Sequence, residues 1–256
     1  MNTFTLMTAA SCAFLFGTLQ AQPIGIDAQA TFGQARTWSP GTTTFDNATL
    51  SGGAFDPSAS DKLIAILGFR ASGTPGFASV TYGGVAMTEA IQHTASNNRA
   101  MTGIFYLDNP GAAGDLSITV NNSGFGYAVS LLAVSGTASG FSVASSGDAT
   151  STVLNSVGAG SLVVAQHSVE TDDVTLTGTS PLVDLLQHAP LDSGSGEGSH
   201  ISAYANNVSA GNFTAAFTGG GSDPSISAVA FAVPEPGSFA LMAGLLGLTW
   251  VAMRRR

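Results

Sequence analysis

Between Thr31 and Val233 no long stretch carries the 3.6-residue apolar period of a helix. Short runs of Val, Ile, Thr, Phe and Tyr recur instead, each closed by Gly, Asn, Asp or Pro. Such punctuation confines a chain to short strands and tight turns. Lys62–Phe69, Ser79–Tyr82, Met101–Leu107, Leu116–Val120 and Tyr127–Val134 read as strands. Gly83-Gly84 reads as a hairpin turn, because glycine enters positive φ without a Cβ clash, and Asp108-Asn109-Pro110-Gly111 reads as a second turn. The expected class is all-β, an antiparallel two-sheet sandwich of about twelve strands. In Lys62–Phe69 both alternating sets, Leu63/Ala65/Leu67 and Ile64/Ile66, are apolar. This strand is therefore expected in mid-sheet, covered on each side.

The second half repeats the first loosely. Leu63–Ile66 corresponds to Leu162–Ala165, and Ile91-Gln92-His93 to Leu186-Gln187-His188. Ile104-Phe105-Tyr106 matches Ser202-Ala203-Tyr204, Leu116–Val120 matches Phe213–Phe217, and Ala128–Val134 matches Ile226–Ala232. Offsets that drift by only a few residues are expected of related strands joined by variable loops. The domain is placed at 31–233, with halves 31–136 and 141–233; two separate sandwiches are the alternative, and contacts between the halves decide.

Charge limits the partners. Only 9% of residues are charged, against about 25% in ordinary soluble domains. All sixteen acids lie between Asp27 and Glu235, where the basic residues are only Arg36, Lys62, Arg70 and Arg99. A surface this acidic repels phosphate backbones, so nucleic acid is not an expected partner. The single cysteine, Cys12, lies in the N-terminal apolar stretch, and Ala9-Ala10-Ser11 before it lacks the leucine of a lipoprotein site. Stability downstream must come from packing rather than disulfides.

Both ends carry targeting signals. Leu6–Leu19 has the length of a signal-peptide core and is short for a bilayer span, although no Lys or Arg precedes it. Cleavage after Ala21 (segment 1–21) fits best; Ala28-Gln29-Ala30 offers a second small-x-small site. At the other end Val233-Pro234-Glu235-Pro236 precedes an apolar run, 237–253, and then Arg254-Arg255-Arg256. Seventeen helical residues reach roughly 25 Å, enough for a short span, and the arginines would stay cytoplasmic. Two prolines keep the motif out of helix and sheet, as backbone open to a processing enzyme.

This tripartite order, 233–256, resembles the PEP-CTERM sorting signal of Gram-negative bacteria. The resemblance implies recognition by a membrane-embedded exosortase, after export through the Sec translocon and signal peptidase, often alongside exopolysaccharide production. It also implies an inner-membrane-anchored precursor that ends at the cell surface or in the extracellular matrix. In the middle, Asp61–Gly68, Ser79-Val80-Thr81-Tyr82-Gly83-Gly84-Val85-Ala86-Met87-Thr88 and Phe105-Tyr106-Leu107-Asp108-Asn109-Pro110 are similar to an opening strand, a hairpin and a following strand. Their family is that of the jelly-roll-like β-sandwich regions of bacterial extracellular proteins, and Ala133–Gly136 and Gly158–Val164 complete the likeness. These motifs are structural and bring no catalytic residues.

Chemistry is sparse. No phosphate-cradling loop with lysine occurs, and Gly194–Gly198 resembles a serine-hydrolase elbow only superficially. His93, His167, His188 and His200 lack zinc-helix spacing. The equivalent places of His93 and His188 point to a shared structural role. Glu170, Asp172 and Asp173 follow a strand and are the calcium candidates, against a solvated turn. Of the four tyrosines, Tyr82, Tyr106, Tyr127 and Tyr204, the pair Tyr106 and Tyr204 sits at matching strand positions and is expected in the core or at its rim. The expectation is a non-enzymatic surface protein without cofactor, structural or adhesive in the matrix. A carbohydrate-binding module is the alternative and a polysaccharide hydrolase the third reading.

Overall fold

The computed structural model describes residues 23–47, 55–71, 73, 76–172, 174–188 and 198–234. Within them Pro23–Val233 forms one compact unit, whose elements are all strands. The first half contains β1 (Gly25–Trp38), β2 (Gly41–Phe45), β3 (Lys62–Ala71), β4 (Phe77–Tyr82), β5 (Val85–Ala86), β6 (Thr88–Thr94), β7 (Ala100–Asp108), β8 (Leu116–Val120) and β9 (Gly124–Ser135). The second contains β10 (Val143–Gly147), β11 (Ser151–Val157), β12 (Ser161–Val169), β13 (Thr177–Gly178), β14 (Val183–His188), β15 (Ser199–Val208), β16 (Gly211–Thr218) and β17 (Ser225–Phe231).

The pairing is antiparallel and builds four sheets. Their orders are β1-β9-β3-β7-β6 and β2-β8-β4-β5 in the first half, then β10-β17-β12-β15-β14 and β11-β16-β13 in the second. The Gly83-Gly84 hairpin is a two-residue turn between paired Tyr82 and Val85, with both glycines at positive φ.

Three apolar clusters account for the layering. Leu63, Ala65, Leu67, Met101, Phe105, Val129 and Leu131 meet Phe77, Val80, Leu116, Ile118 and Val120 across the first half. Val163, Ala165, Ile201, Ala203, Ile226 and Ala228 meet Leu154, Phe213, Ala215 and Phe217 across the second. The third lies between the two five-stranded sheets, where Ile64, Ile66, Ile104, Leu132 and Val134 face Leu162, Val164, Val229 and Phe231. Each such side chain removed from water contributes about 1.5–3 kcal/mol, and this third cluster joins the halves into one unit. β3 is buried in mid-sheet between two layers, as its doubly apolar alternation requires.

Three expectations need correction. The described residues hold seventeen strands in four sheets rather than about twelve in two, because each half closes its own core and then covers the other. The first strand begins at Gly25, ahead of Thr31; Ala28–Ala30 pair with β9, and Ala30 is buried. Two of the proposed correspondences slip by one residue. Leu63 faces the core of its own half, as Val163 does and Leu162 does not. Ala133 likewise matches Ala230 rather than Phe231. A one-residue slip turns every side chain to the opposite face. The matching of Leu116–Val120 to Phe213–Phe217 keeps Leu116, Ile118 and Val120 and then Phe213, Ala215 and Phe217 inward, in register.

Candidate functional site

β17 is buried along its whole length and pairs with β12 on one side and β10 on the other. It ends where the sorting segment begins. The Ala232 carbonyl accepts a hydrogen bond from the Ala138 N–H at 2.9 Å. Val233 is half-buried against the inter-sheet cluster that holds Ile24, and Pro234 is exposed. Proline has no N–H, so the ladder cannot continue through this point. Glu235, Pro236 and Arg254, Arg255 and Arg256 lie outside the described residues, as do segments 1–21 and 237–253.

The chain also enters at this pole. Ile24 is buried in the same cluster, and its carbonyl accepts a hydrogen bond from Asn206 Nδ2 at 2.8 Å. Here Lys62 is fully buried; its Nζ donates to Asp108 Oδ1 and lies 4.8 Å from the centroid of the Tyr106 ring and 5.5 Å from that of Phe231. The other Asp108 oxygen accepts from Gly140 N–H at 3.0 Å, in the connection between the halves.

Toward the opposite pole the seam between the five-stranded sheets turns from apolar to polar. Ser130 and Ser202 hydroxyls are 2.5 Å apart, and Thr102 lies 2.8 Å from Ser227 and 3.1 Å from Ser225, all buried. His200 Nδ1 is 2.9 Å from the Ser168 hydroxyl, and His93 Nδ1 is 3.1 Å from that of Ser225. His93 Nε2 is 3.5 Å from Asp148. His188 pairs with His200 in the backbone ladder.

The seam ends on Glu170. Arg70 Nη2 donates to its Oε1 at 3.2 Å, Arg99 Nη1 donates to the same oxygen, and Asn97 Nδ2 donates to Oε2 at 3.2 Å. Burial pushes this carboxyl up, but hydrogen bonds with Arg99, Asp223 and Arg70 outweigh it and hold it below its ordinary value. The hydrogen bond to Glu170, with some burial and that neighbour's charge, pushes Asp223 up.

Of the calcium candidates, Glu170 is thus held by two guanidinium groups and Asp172 Oδ1 accepts from Gly198 N–H at 2.6 Å. Asp173 lies outside the described residues. Among the described residues no group of three or more His, Cys, Asp or Glu side chains is arranged to hold a metal, and no helix is long and apolar enough to cross a membrane. Sequence reading missed that Lys62, Arg70 and Arg99 serve the seam. The repeat as read aligns Arg70 with Val169, and only the register of the packed sheets makes Arg70 and Glu170 corresponding strand ends.

The structure defines a β-sandwich-like unit whose last strand runs into a processing signal. Residues 232–256 match the PEP-CTERM protein-sorting motif. This motif implies processing by an exosortase and marks a sorted surface protein. No curated protein and no solved structure matches the chain.

Proposed function

We propose that the unit is a structural or adhesive component of the extracellular matrix, exported by an N-terminal signal peptide, held as an inner-membrane precursor by a helix over 237–253, and then released or transferred by the exosortase. Each half reads as a jelly-roll-like sandwich. One observation carries this reading: chain entry and chain exit share one pole, with the sorting motif directly after a fully buried strand. Pro236 follows Phe231 by five residues, a reach of at most about 18 Å. Processing therefore happens close to the folded unit, and the opposite pole is left for contacts outward.

Neither catalysis nor a tightly bound metal or cofactor belongs to this reading. Lys62, Arg70 and Arg99 are engaged with Asp108 and Glu170. A catalytic carboxyl needs partners that tune its pKa, and here those partners hold the seam together. The purified unit should hydrolyse no member of a polysaccharide panel. Turnover lost in Asp223→Asn and in Glu170→Gln would instead establish the hydrolase reading.

A glycan-binding reading is favoured by a different observation. Tyr82 and Tyr127 are buried, and Tyr106 and Tyr204 pack half-buried in the seam, so none of the four offers a stacking face. The outer face of β2-β8-β4, however, carries rows of hydroxyls. Thr42 and Ser79 flank Thr119, and Thr44 and Thr81 flank Ser117; Thr42–Thr119 and Thr44–Ser117 oxygens are 2.7 and 2.9 Å apart. Such rows suit hydrogen bonding to a neutral, hydroxyl-rich polymer. Sedimentation with insoluble and gel-forming polysaccharides, wild type against a Thr42→Val/Thr44→Val/Thr119→Val variant, separates this reading from a purely structural one.

A further inference from the structure

The five-stranded sheets of the two halves correspond strand for strand. The sheet orders β1-β9-β3-β7-β6 and β10-β17-β12-β15-β14 match position by position. The hairpin registers coincide as well. Thr88 pairs with Tyr106 and Ile91 with Ile104; Val183 pairs with Tyr204 and Leu186 with Ser202. Each hairpin has its register shift at the same place, between Glu89 and Ile91 and between Asp184 and Leu186.

The halves also meet reciprocally. β1 packs on β14, and its counterpart β10 packs on β6, the counterpart of β14. β7 packs on β17, and β15 on β9. A translated repeat would bring unlike sheets together; here the same face of the same sheet is used twice, which is the isologous contact of a two-fold axis. The axis runs along the strands between β3 and β12. Near it a residue meets its own counterpart, Gly68 against Ser168 and Arg70 against Glu170.

We propose that the seam is a two-fold dimer interface carried inside one chain, and that Arg70–Glu170 and Gly68–Gln166 restrict it to the unlike half. Two first halves would set Arg70 against Arg70, and two second halves Glu170 against Glu170. These side chains are 11% and 15% exposed, so water screens the repulsion poorly. Specificity of this kind comes from penalising the wrong partner as much as from favouring the right one. Shape acts in the same direction: a Cβ at Gly68 would clash with Gln166 Nε2 and lie 2.8 Å from the Ser168 hydroxyl. Only a half with glycine there admits the glutamine. A second copy of the chain is thus a poor competitor for the seam while the cognate half is attached.

The test is a charge-reversal cycle in the Pro23–Val233 unit, made in an Arg99→Gln background so that only the axial pair changes. Arg70→Glu and Glu170→Arg should each lower Tm by about 5–10 °C, and the double reversal should recover at least half of the combined loss. Single variants that melt within about 1 °C of the background, or a double variant that loses the full sum, would overturn the role of the pair. Two-fold symmetry is tested separately. It gives a Val233-to-Pro23 join the same place as the 136–142 connection, so a permutant opened within 136–142 and joined by an equally long linker should unfold cooperatively near the parent Tm. A permutant without a cooperative transition would overturn the two-fold relation.

Discussion

The imidazole of His167 is stacked on the ring of Phe217, centroids 5.4 Å apart and planes 14° apart, with its Nδ1 3.1 Å from the Ser225 carbonyl. That carbonyl can only accept, so Nδ1 carries the proton and Nε2, buried without a hydrogen-bond partner, is bare. Burial pushes the His167 pKa down from 6.5 to about 4, against a small upward pull from Ser225.

The sign of the pH dependence follows. A folded-state pKa below the unfolded one contributes stability that is whole above pH 6.5 and falls as pH drops toward 4. The loss is of the order of 3 kcal/mol across that window. Chemical denaturation of wild type and His167→Leu at pH 7.5 and 4.5 should show the variant losing less on acidification. Equal losses would place the acid sensitivity elsewhere.

Lys62 and Asp108 should respond unequally. Asp108→Ala strands an ammonium that is fully buried, at a cost of about 3–5 kcal/mol. Lys62→Met leaves a carboxylate that is 31% exposed and still bonded to Gly140 N–H, so it should cost about 1–2 kcal/mol. Urea titration of both variants checks the order, and the reverse order would mean that the carboxylate is the desolvated partner.

Gly68→Ala should destabilise by about 1–3 kcal/mol through its clash with Gln166. Gln166→Ala in the same background should return part of that loss, because the shortened side chain vacates the contact. A double-mutant cycle reports the coupling directly. Strict additivity would show that Gly68 matters for its backbone alone.

Signal cleavage should leave Gln22 as the first residue. Cleavage after Ala30 would strip Ile24 from the inter-sheet cluster and Gly25–Ala30 from β1, removing backbone pairs to β9. Intact mass and N-terminal sequencing of the mature protein decide between the two, and a first residue of Thr31 would mean that the unit forms without the first six residues of its edge strand.

A reporter fused after Arg256 should behave as cytoplasmic in the unprocessed precursor, and replacing Arg254, Arg255 and Arg256 by glutamine should weaken retention or invert orientation. Periplasmic reporter activity in the wild type would refute the topology.

The amino-acid sequence by itself determined the class of fold, many strand positions and the sorting segment. Leu116–Val120 was legible to the residue, because its alternation separates an inner from an outer face, and the doubly apolar Lys62–Phe69 run declared a strand covered on both sides. Tertiary structure alone decided what covers it. Gln166, Ser168, His200, Ser202, Ser225 and Ser227 alternate with apolar residues and read as a solvent-facing set, yet all are buried. Period-two patterning distinguishes one face from the other but cannot say that a polar face will be sealed by the other half of the chain, where hydroxyls satisfy one another. The pairing of Arg70 with Glu170 was hidden for the same reason. It joins residues that are neighbours only because a two-fold relation brings equivalent strand ends together, and symmetry between distant segments is a property of the packed sheets.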